Sequence, residues 1–462
     1  MSKTGLNDVV EPQRLSELNG APEQRGVYVL YWMQQSQRAV CNPALEVAVA
    51  AANRLRLPLV VGFALRDDLP RAKLRHYAFM LEGLAEAAAA LRERGIGFVI
   101  RRGSPAQVIL GLAARAALIV CDRGYLRAQQ KWRRQVAAAA GRRMVQVEGD
   151  VVVPVRLASD TQEIGARSLR PKIARLREGF LRPLRQQRPQ VTARRLQLAS
   201  DVALDDLPRT LAGLHLDHGV ARVAVFRGGH SHARRRLKAF VSQGLASYCA
   251  ARASPGAPRV STLSPYLHFG QISPVEIALA VGAAAAPEAD RAAFLEQLIV
   301  RRELAINFVS NNADYDRFES LPAWAQRTLE RHARDPRAHL YSYEQLAAAR
   351  THDPYWNAAM QEMRLTGFMH NYMRMYWGKK VLEWSRTAQE GYRSLLRLNN
   401  DYFIDGRDAS SYANVGWVFG LHDRPWPERP IFGNVRYMNA AGLKRKTDID
   451  AYVRIWERAA AV

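Results

Sequence analysis

Met369–His370–Asn371–Tyr372–Met373–Arg374–Met375–Tyr376–Trp377, with Trp384 seven positions on, sets an amide, a cation, thioethers and two indoles on one predicted helix. Indoles at i and i+7 differ by about 20° in helical phase and about 10 Å in rise, so Trp377 and Trp384 share a face. That spacing suits a relay of redox-active side chains leading away from a buried cofactor. It also suits the aromatic face of an ordinary core helix. The surrounding sequence decides between the two.

Residues 1–160 read as alternating short apolar runs and helices. Gly26–Tyr31, Leu57–Phe63, Phe98–Ile100, Leu118–Val120 and Met144–Val147 are strand-like, with helices over Pro43–Leu55 and Tyr77–Arg94 between them. Continuous apolar strands alternating with helices predict a Rossmann-like, doubly wound α/β domain whose parallel sheet is covered on both faces. Neither G-x-G-x-x-G nor a Walker loop is present, so this fold by itself assigns no nucleotide chemistry. Residues 161–222 are rich in Arg and Leu and read as an irregular interdomain connection. From 223 to 462 helical periodicity dominates, giving a larger all-α domain. Two helix starts stand out there: Ser264–Pro265, a capping hydroxyl before proline, and Ser273–Pro274–Val275–Glu276, a capping box.

The formal charge is +24, from 67 basic and 43 acidic residues, which favours a polyanionic partner such as nucleic acid. No apolar run approaches the roughly 20 residues of a membrane span, and Met1–Ser2–Lys3–Thr4 does not begin a signal pattern. Cys41, Cys121 and Cys249 are far apart and offer neither a disulfide framework nor a metal site. A cytoplasmic protein without a metal is the expectation.

Four motifs in order resemble the photolyase/cryptochrome family. They are Ser261–Thr262–Leu263–Ser264–Pro265–Tyr266–Leu267–His268–Phe269–Gly270, Phe294–Leu304, Met369–Trp377 and Asn399–Asn400–Asp401–Tyr402–Phe403–Ile404–Asp405–Gly406–Arg407–Asp408. Tyr31–Trp32–Met33–Gln34, Met373–Trp377 and Ile431–Met438 are similar to its class II branch, the cyclobutane pyrimidine dimer (CPD) photolyases, and the similarity runs from about residue 26 onward. The resemblance implies that the all-α domain binds FAD and that the α/β domain can house an antenna chromophore, a deazaflavin or a folate. It implies repair of UV-damaged DNA: a flipped dimer receives an electron from photoexcited FADH⁻, splits, and returns it. A monomer is the family expectation.

By the same resemblance, Tyr248, Ser261, Thr262, Leu263 and Ser264 hold the flavin's phosphate and ribose region, where hydroxyls and helix-start N–H groups suit an anion. Arg374 and Asp405 match an ion pair beside the flavin ring, Asn371 a flavin-contacting amide, and Asn399 an acceptor near flavin N5. Glu296 resembles the glutamate that hydrogen-bonds the dimer, which burial would keep protonated. Met375 and Trp417 resemble residues packing on the flipped bases, and Arg252 a cation near the lesion. Trp356, Trp377 and Trp384 resemble the photoreducing relay, with the order of hops open. Two departures stand out: Ala253 replaces the asparagine usual in class II, and Ala409–Ser410–Ser411 replaces a loop that usually carries proline and glycine. A cryptochrome-like photosensor, usually longer at its C-terminus than a chain ending at Val462, is one alternative. A (6-4) photoproduct photolyase, using paired histidines of which His370 would be one, is the other.

Overall fold

A computed structural model describes residues 9–69, 71–256 and 259–461; the Met1–Thr4 segment and Val462 lie outside the described residues. Its sheet has six strands: β1 (Leu15–Glu17), β2 (Tyr28–Trp32), β3 (Leu59–Leu65), β4 (Gly97–Arg102), β5 (Ala116–Asp122) and β6 (Met144–Val147), in the order β1-β6-β5-β2-β3-β4. Five are parallel, as their apolar runs predict. The sixth, β1, pairs antiparallel with β6 at the edge, Leu15 opposite Val147. With three residues of half-exposed pattern, β1 has no apolar run to announce it.

Helices α1 (Pro43–Leu55), α2 (Leu74–Glu93), α3 (Pro105–Ala113) and α4 (Arg127–Ala139) flank the sheet. Asn42 caps α1 by accepting the Leu45 N–H at 3.1 Å, with Pro43 at the first helical position. The strand order switches direction between β2 and β5, the point where such sheets usually place a phosphate. Here the chain supplies its own anion. One oxygen of Asp122 accepts the N–H groups of Gln34, Gln35 and Ser36, each at 2.9 Å, and the other accepts the Tyr31 hydroxyl at 2.9 Å.

The stretch 161–222 contains more helix than its composition suggests. α5 (Ala166–Leu176) runs through it despite an internal proline, Pro171. The helical half then provides α6 (Glu288–Leu295), α7 (Arg302–Asn311), α8 (Pro354–Thr366), α9 (Asn371–Glu383), α10 (Ala388–Tyr402) and α11 (Ala409–Val418). A π-helical turn, Glu296–Arg301, joins α6 to α7. No described helix is long and apolar enough to cross a membrane.

The two halves are pinned together from α2. Arg75 is buried and donates to the carbonyls of Met363, Arg364 and Tyr402, at 3.2, 2.7 and 2.6 Å, at the ends of α8 and α10. A cation at two helix C-termini satisfies orphan carbonyls and both dipoles at once. Beside it, His76 Nε2 lies 2.7 Å from the Phe403 carbonyl. Burial holds the His76 pKa down to about 3, so the ring is neutral and donates through Nε2–H.

Candidate flavin and substrate site

Two helix caps place the indoles. Asp353 accepts the N–H groups of Tyr355 and Trp356, at 2.9 and 3.1 Å, and starts α8 with Pro354. The Tyr376 hydroxyl of α9 donates to the same carboxylate, locking the two helices in register. His370 caps α9, its Nδ1 accepting the Tyr372 N–H at 3.3 Å. Burial pushes the His370 pKa down to about 4, which keeps that nitrogen free to accept.

Trp377, Trp356 and Trp384 form a continuous row of contacting rings. Trp356 lies between the other two, 6.3 Å from Trp377 at 16° and 5.8 Å from Trp384 at 62° between planes. Its indole N–H donates to the Trp377 carbonyl at 2.9 Å. Trp384 is the C-cap of α9, and its ring meets Tyr341 and His352 at 5.3 and 5.2 Å. All three indoles are buried. Trp377 abuts Phe403 at 6.0 Å, and the Arg374 guanidinium stacks on Phe403 at 3.7 Å.

Arg374, one turn before Trp377, reaches Asp405 at 3.3 Å with both groups largely buried. Gly367, at φ 69°, lets α8 turn against Ile404, which donates its N–H to the Gly367 carbonyl at 2.9 Å; a Cβ there would lie 2.5 Å from the Ile404 side chain. Asn399 is buried at the end of α10 and donates to Asn400 at 3.1 Å, and among the described residues its side-chain Oδ1 accepts no hydrogen bond. The substituted loop closes firmly: Asp408 caps α11 through the Ser410 N–H at 2.8 Å, and the Ser411 hydroxyl donates to the Asp405 carbonyl at 2.9 Å. Ala253 is exposed in the turn after the helix Tyr248–Ala251 and adds no polar group.

At the other rim, Tyr248 and Leu263 are buried, Ser261, Thr262 and Ser264 are half-buried, and Thr262 is left-handed at φ 51°. Ser264 is not the cap its sequence predicts. It is the first residue of the short helix Ser264–His268, whose cap position is Leu263, and Pro265 stands second. The hydroxyls of Ser261 and Ser264 therefore make no hydrogen bond within the described chain. Ser273 does cap its helix through the Val275 N–H at 3.2 Å, but Glu276 does not close the box; it pairs with His230 at 3.0 Å.

Hydroxyls at a helix start, a free amide oxygen, a cation beside a carboxylate, and buried ring nitrogens of His370 and Trp377 that have no hydrogen-bond partner among the described residues together fit a polar, planar cofactor with an anionic tail. Asn371, the first residue of α9, is exposed, and its side chain makes no hydrogen bond among the described residues. Arg252 is exposed just beyond the Tyr248–Ala251 helix.

The Glu296 carboxylate is turned toward α5, where Arg170 donates to it twice, at 2.8 and 3.1 Å, and Arg301 approaches at 3.4 Å. With its oxygens engaged by two guanidiniums, this carboxylate is directed away from the Tyr248 side of the site. The line of α6 that faces the Tyr248 helix is different. Asp290 accepts the Cys249 N–H at 2.7 Å, and Phe294 packs on Tyr248 with ring centroids 5.5 Å apart. Gln297, three residues after Phe294 and just inside the π turn, is half-buried and engages in no hydrogen bond within the described chain. Spacing from Phe294 does not reveal it, because a π turn begins between the two residues.

Met375 and Trp417 are both half-buried. Lys379, four residues after Met375 on α9, lies 4.9 Å from the centroid of the Trp417 ring, and Arg436 lies 5.6 Å from it. α9 thus carries Arg374 and Trp377 along one line and Met375 and Lys379 along the next.

The DNA photolyase family model matches residues 29–190. The deoxyribodipyrimidine photo-lyase of Methanothermobacter thermautotrophicus is 48% identical over 447 residues, 96% of this chain and 98% of that protein. That of Potorous tridactylus is 38% identical over 92% of this chain and 80% of its own. Among solved structures, a class III photolyase from Agrobacterium tumefaciens has a TM-score of 0.74 at 20% identity, covering 95% of this chain and 88% of that one. A photolyase from Sulfolobus tokodaii with two FAD molecules has a TM-score of 0.68 at 16% identity, covering 93% and 89%.

Proposed function

The chain belongs to the DNA photolyase family, and from that premise we propose that it is a class II deoxyribodipyrimidine photo-lyase, reversing cyclobutane pyrimidine dimers under blue light. When bound and reduced, FAD would supply the photoexcited electron for that reaction. What chiefly supports the reading is α9, which gathers the Arg374–Asp405 pair, the start of the indole row and the Met375 edge on one helix.

The residues divide the work. Ser261, Thr262, Ser264 and the N–H groups at the Ser264–His268 helix start would take the pyrophosphate, with Tyr248 and Leu263 packing beside it. Arg374 and Asp405 would fix the ring, Asn399 would accept a ring N–H, and Asn371 would add an amide. Met375 and Trp417 give the flipped bases apolar and π surface. Arg252 stands for the lesion phosphate, and Gln297 offers the lesion a neutral N–H donor that needs no protonation. Trp377, Trp356 and Trp384, in that order outward, would refill the flavin from outside. A second, light-harvesting chromophore, a deazaflavin or a folate, would sit with the α/β domain. The enzyme would work as a cytoplasmic monomer.

The test is repair of a thymine-dimer oligonucleotide by purified, chemically reduced protein under blue light. Restored thymines bear the proposal out. A protein that takes up FAD and photoreduces it but leaves the dimer intact is a photosensor, and one that repairs only a (6-4) lesion belongs to that class.

A further inference from the structure

Lys379 is a buried ammonium that neither the cofactor cage nor the indole row uses. It lies two residues after Trp377, about 200° around α9 from the relay face. Its side chain is fully buried, and Nζ donates to the carbonyl of Val418, the last residue of α11, at 2.5 Å. Among the described residues no carboxylate comes within ion-pair distance of it. Asp423, the acid whose field reaches it, is already held by Arg436 at 2.9 and 3.2 Å. Its neighbour Lys380 pairs separately with Glu383 at 2.7 Å. An unpaired buried cation is costly to keep, and cost without structural return points to a use.

We propose that Lys379 is a positioning residue for the substrate wall: it holds the Trp417 indole through the ring and the adjoining Val418 carbonyl, and sets a positive charge against that wall. The proposal rests on the reading of Trp417 as the surface that receives the flipped pyrimidines. In that reaction the dimer gains one electron, its two cyclobutane C–C bonds break, and the electron leaves again, so DNA is neither oxidised nor reduced overall. While the extra electron resides on the dimer, a cation against the adjacent indole favours that state, and it is already in place before the electron arrives.

Burial pushes the Lys379 pKa down to about 7, with Asp423 raising it and Arg436 lowering it, so the charge fades as the medium turns alkaline. Glu362 and Glu303 also titrate high, near 7 and 8, so the comparison must be with a Lys379 variant. Repair per absorbed photon is measured on chemically reduced, FAD-loaded enzyme with saturating dimer oligonucleotide. The wild-type yield should fall between about pH 6 and pH 9, whereas Lys379→Arg should hold the low-pH yield across that range. Lys379→Met should lose about three-fold or more at low pH and lose preference for damaged over undamaged DNA, with flavin content and photoreduction unchanged. A Lys379→Met enzyme that repairs like wild type, or a Lys379→Arg enzyme with the wild-type pH profile, overturns the proposal. Should Lys379→Met not fold, the wild-type and Lys379→Arg profiles still decide. A flavin-loaded wild type that repairs nothing refutes the repair reading itself.

Discussion

Trp356 joins two indoles that α9 alone would leave a helical rise apart. Its ring fills the gap between Trp377 and Trp384 because Asp353 and Tyr376 fix α8 against α9. Replacing the middle member should therefore be the most damaging: Trp356→Phe should stop photoreduction of oxidised flavin, read as bleaching under blue light with a thiol present. Repair by pre-reduced enzyme should persist; normal photoreduction would show that electrons arrive by another route. Gln297→Leu, by contrast, should lower the repair yield about ten-fold, the worth of a hydrogen bond to a charged group, while Glu296→Gln stays within about two-fold. The reverse ranking would return the lesion contact to Glu296. Residue types were readable here, and so was the phase of Trp377 against Trp384. Contact through Trp356 was not, because it depends on how two helices pack. Nor was the side to which Glu296 turns, because the π turn that begins at Glu296 alters the helical register.

Element by element, the apolar strands of the sheet and the α1 boundaries were legible because periodicity and the Asn42–Pro43 start agree. The edge strand β1, the helix α5 around Pro171, and the position of Ser264 within its helix were not. Each is set by what it packs against and not by local preference. The same holds for the grip of α2 on the loop carrying Asp405, made by Arg75 and His76 through main-chain carbonyls that no sequence displays. His76 is neutral when folded, with a pKa near 3, and would sit near 6.5 unfolded. Below pH 6.5 the unfolded chain takes up a proton that the folded one refuses, so the stabilising share of His76 shrinks as pH falls. The stability gap between wild type and His76→Asn should close by up to about 1.4 kcal/mol per pH unit between about pH 6 and 4. Chemical denaturation at several pH values measures it, and a constant gap would mean the ring is charged in the folded state.

For the whole molecule, the excess of 67 basic over 43 acidic residues is the feature a sequence states outright. It predicts DNA affinity falling steeply with salt: a protein neutralising about six phosphates should lose on the order of a thousand-fold between 50 and 200 mM. Fluorescence anisotropy across a salt series checks this, and a flat series would place recognition in base contacts alone. The grip from α2 has a wider consequence. The Tyr402 and Phe403 carbonyls that Arg75 and His76 hold belong to the stretch ending at Asp405, so the sheet half is a load on the cofactor chamber and not a detachable accessory. Grafting a sheet half from another relative would have to preserve that pair of fingers, or the graft would arrive colourless however well each piece folded.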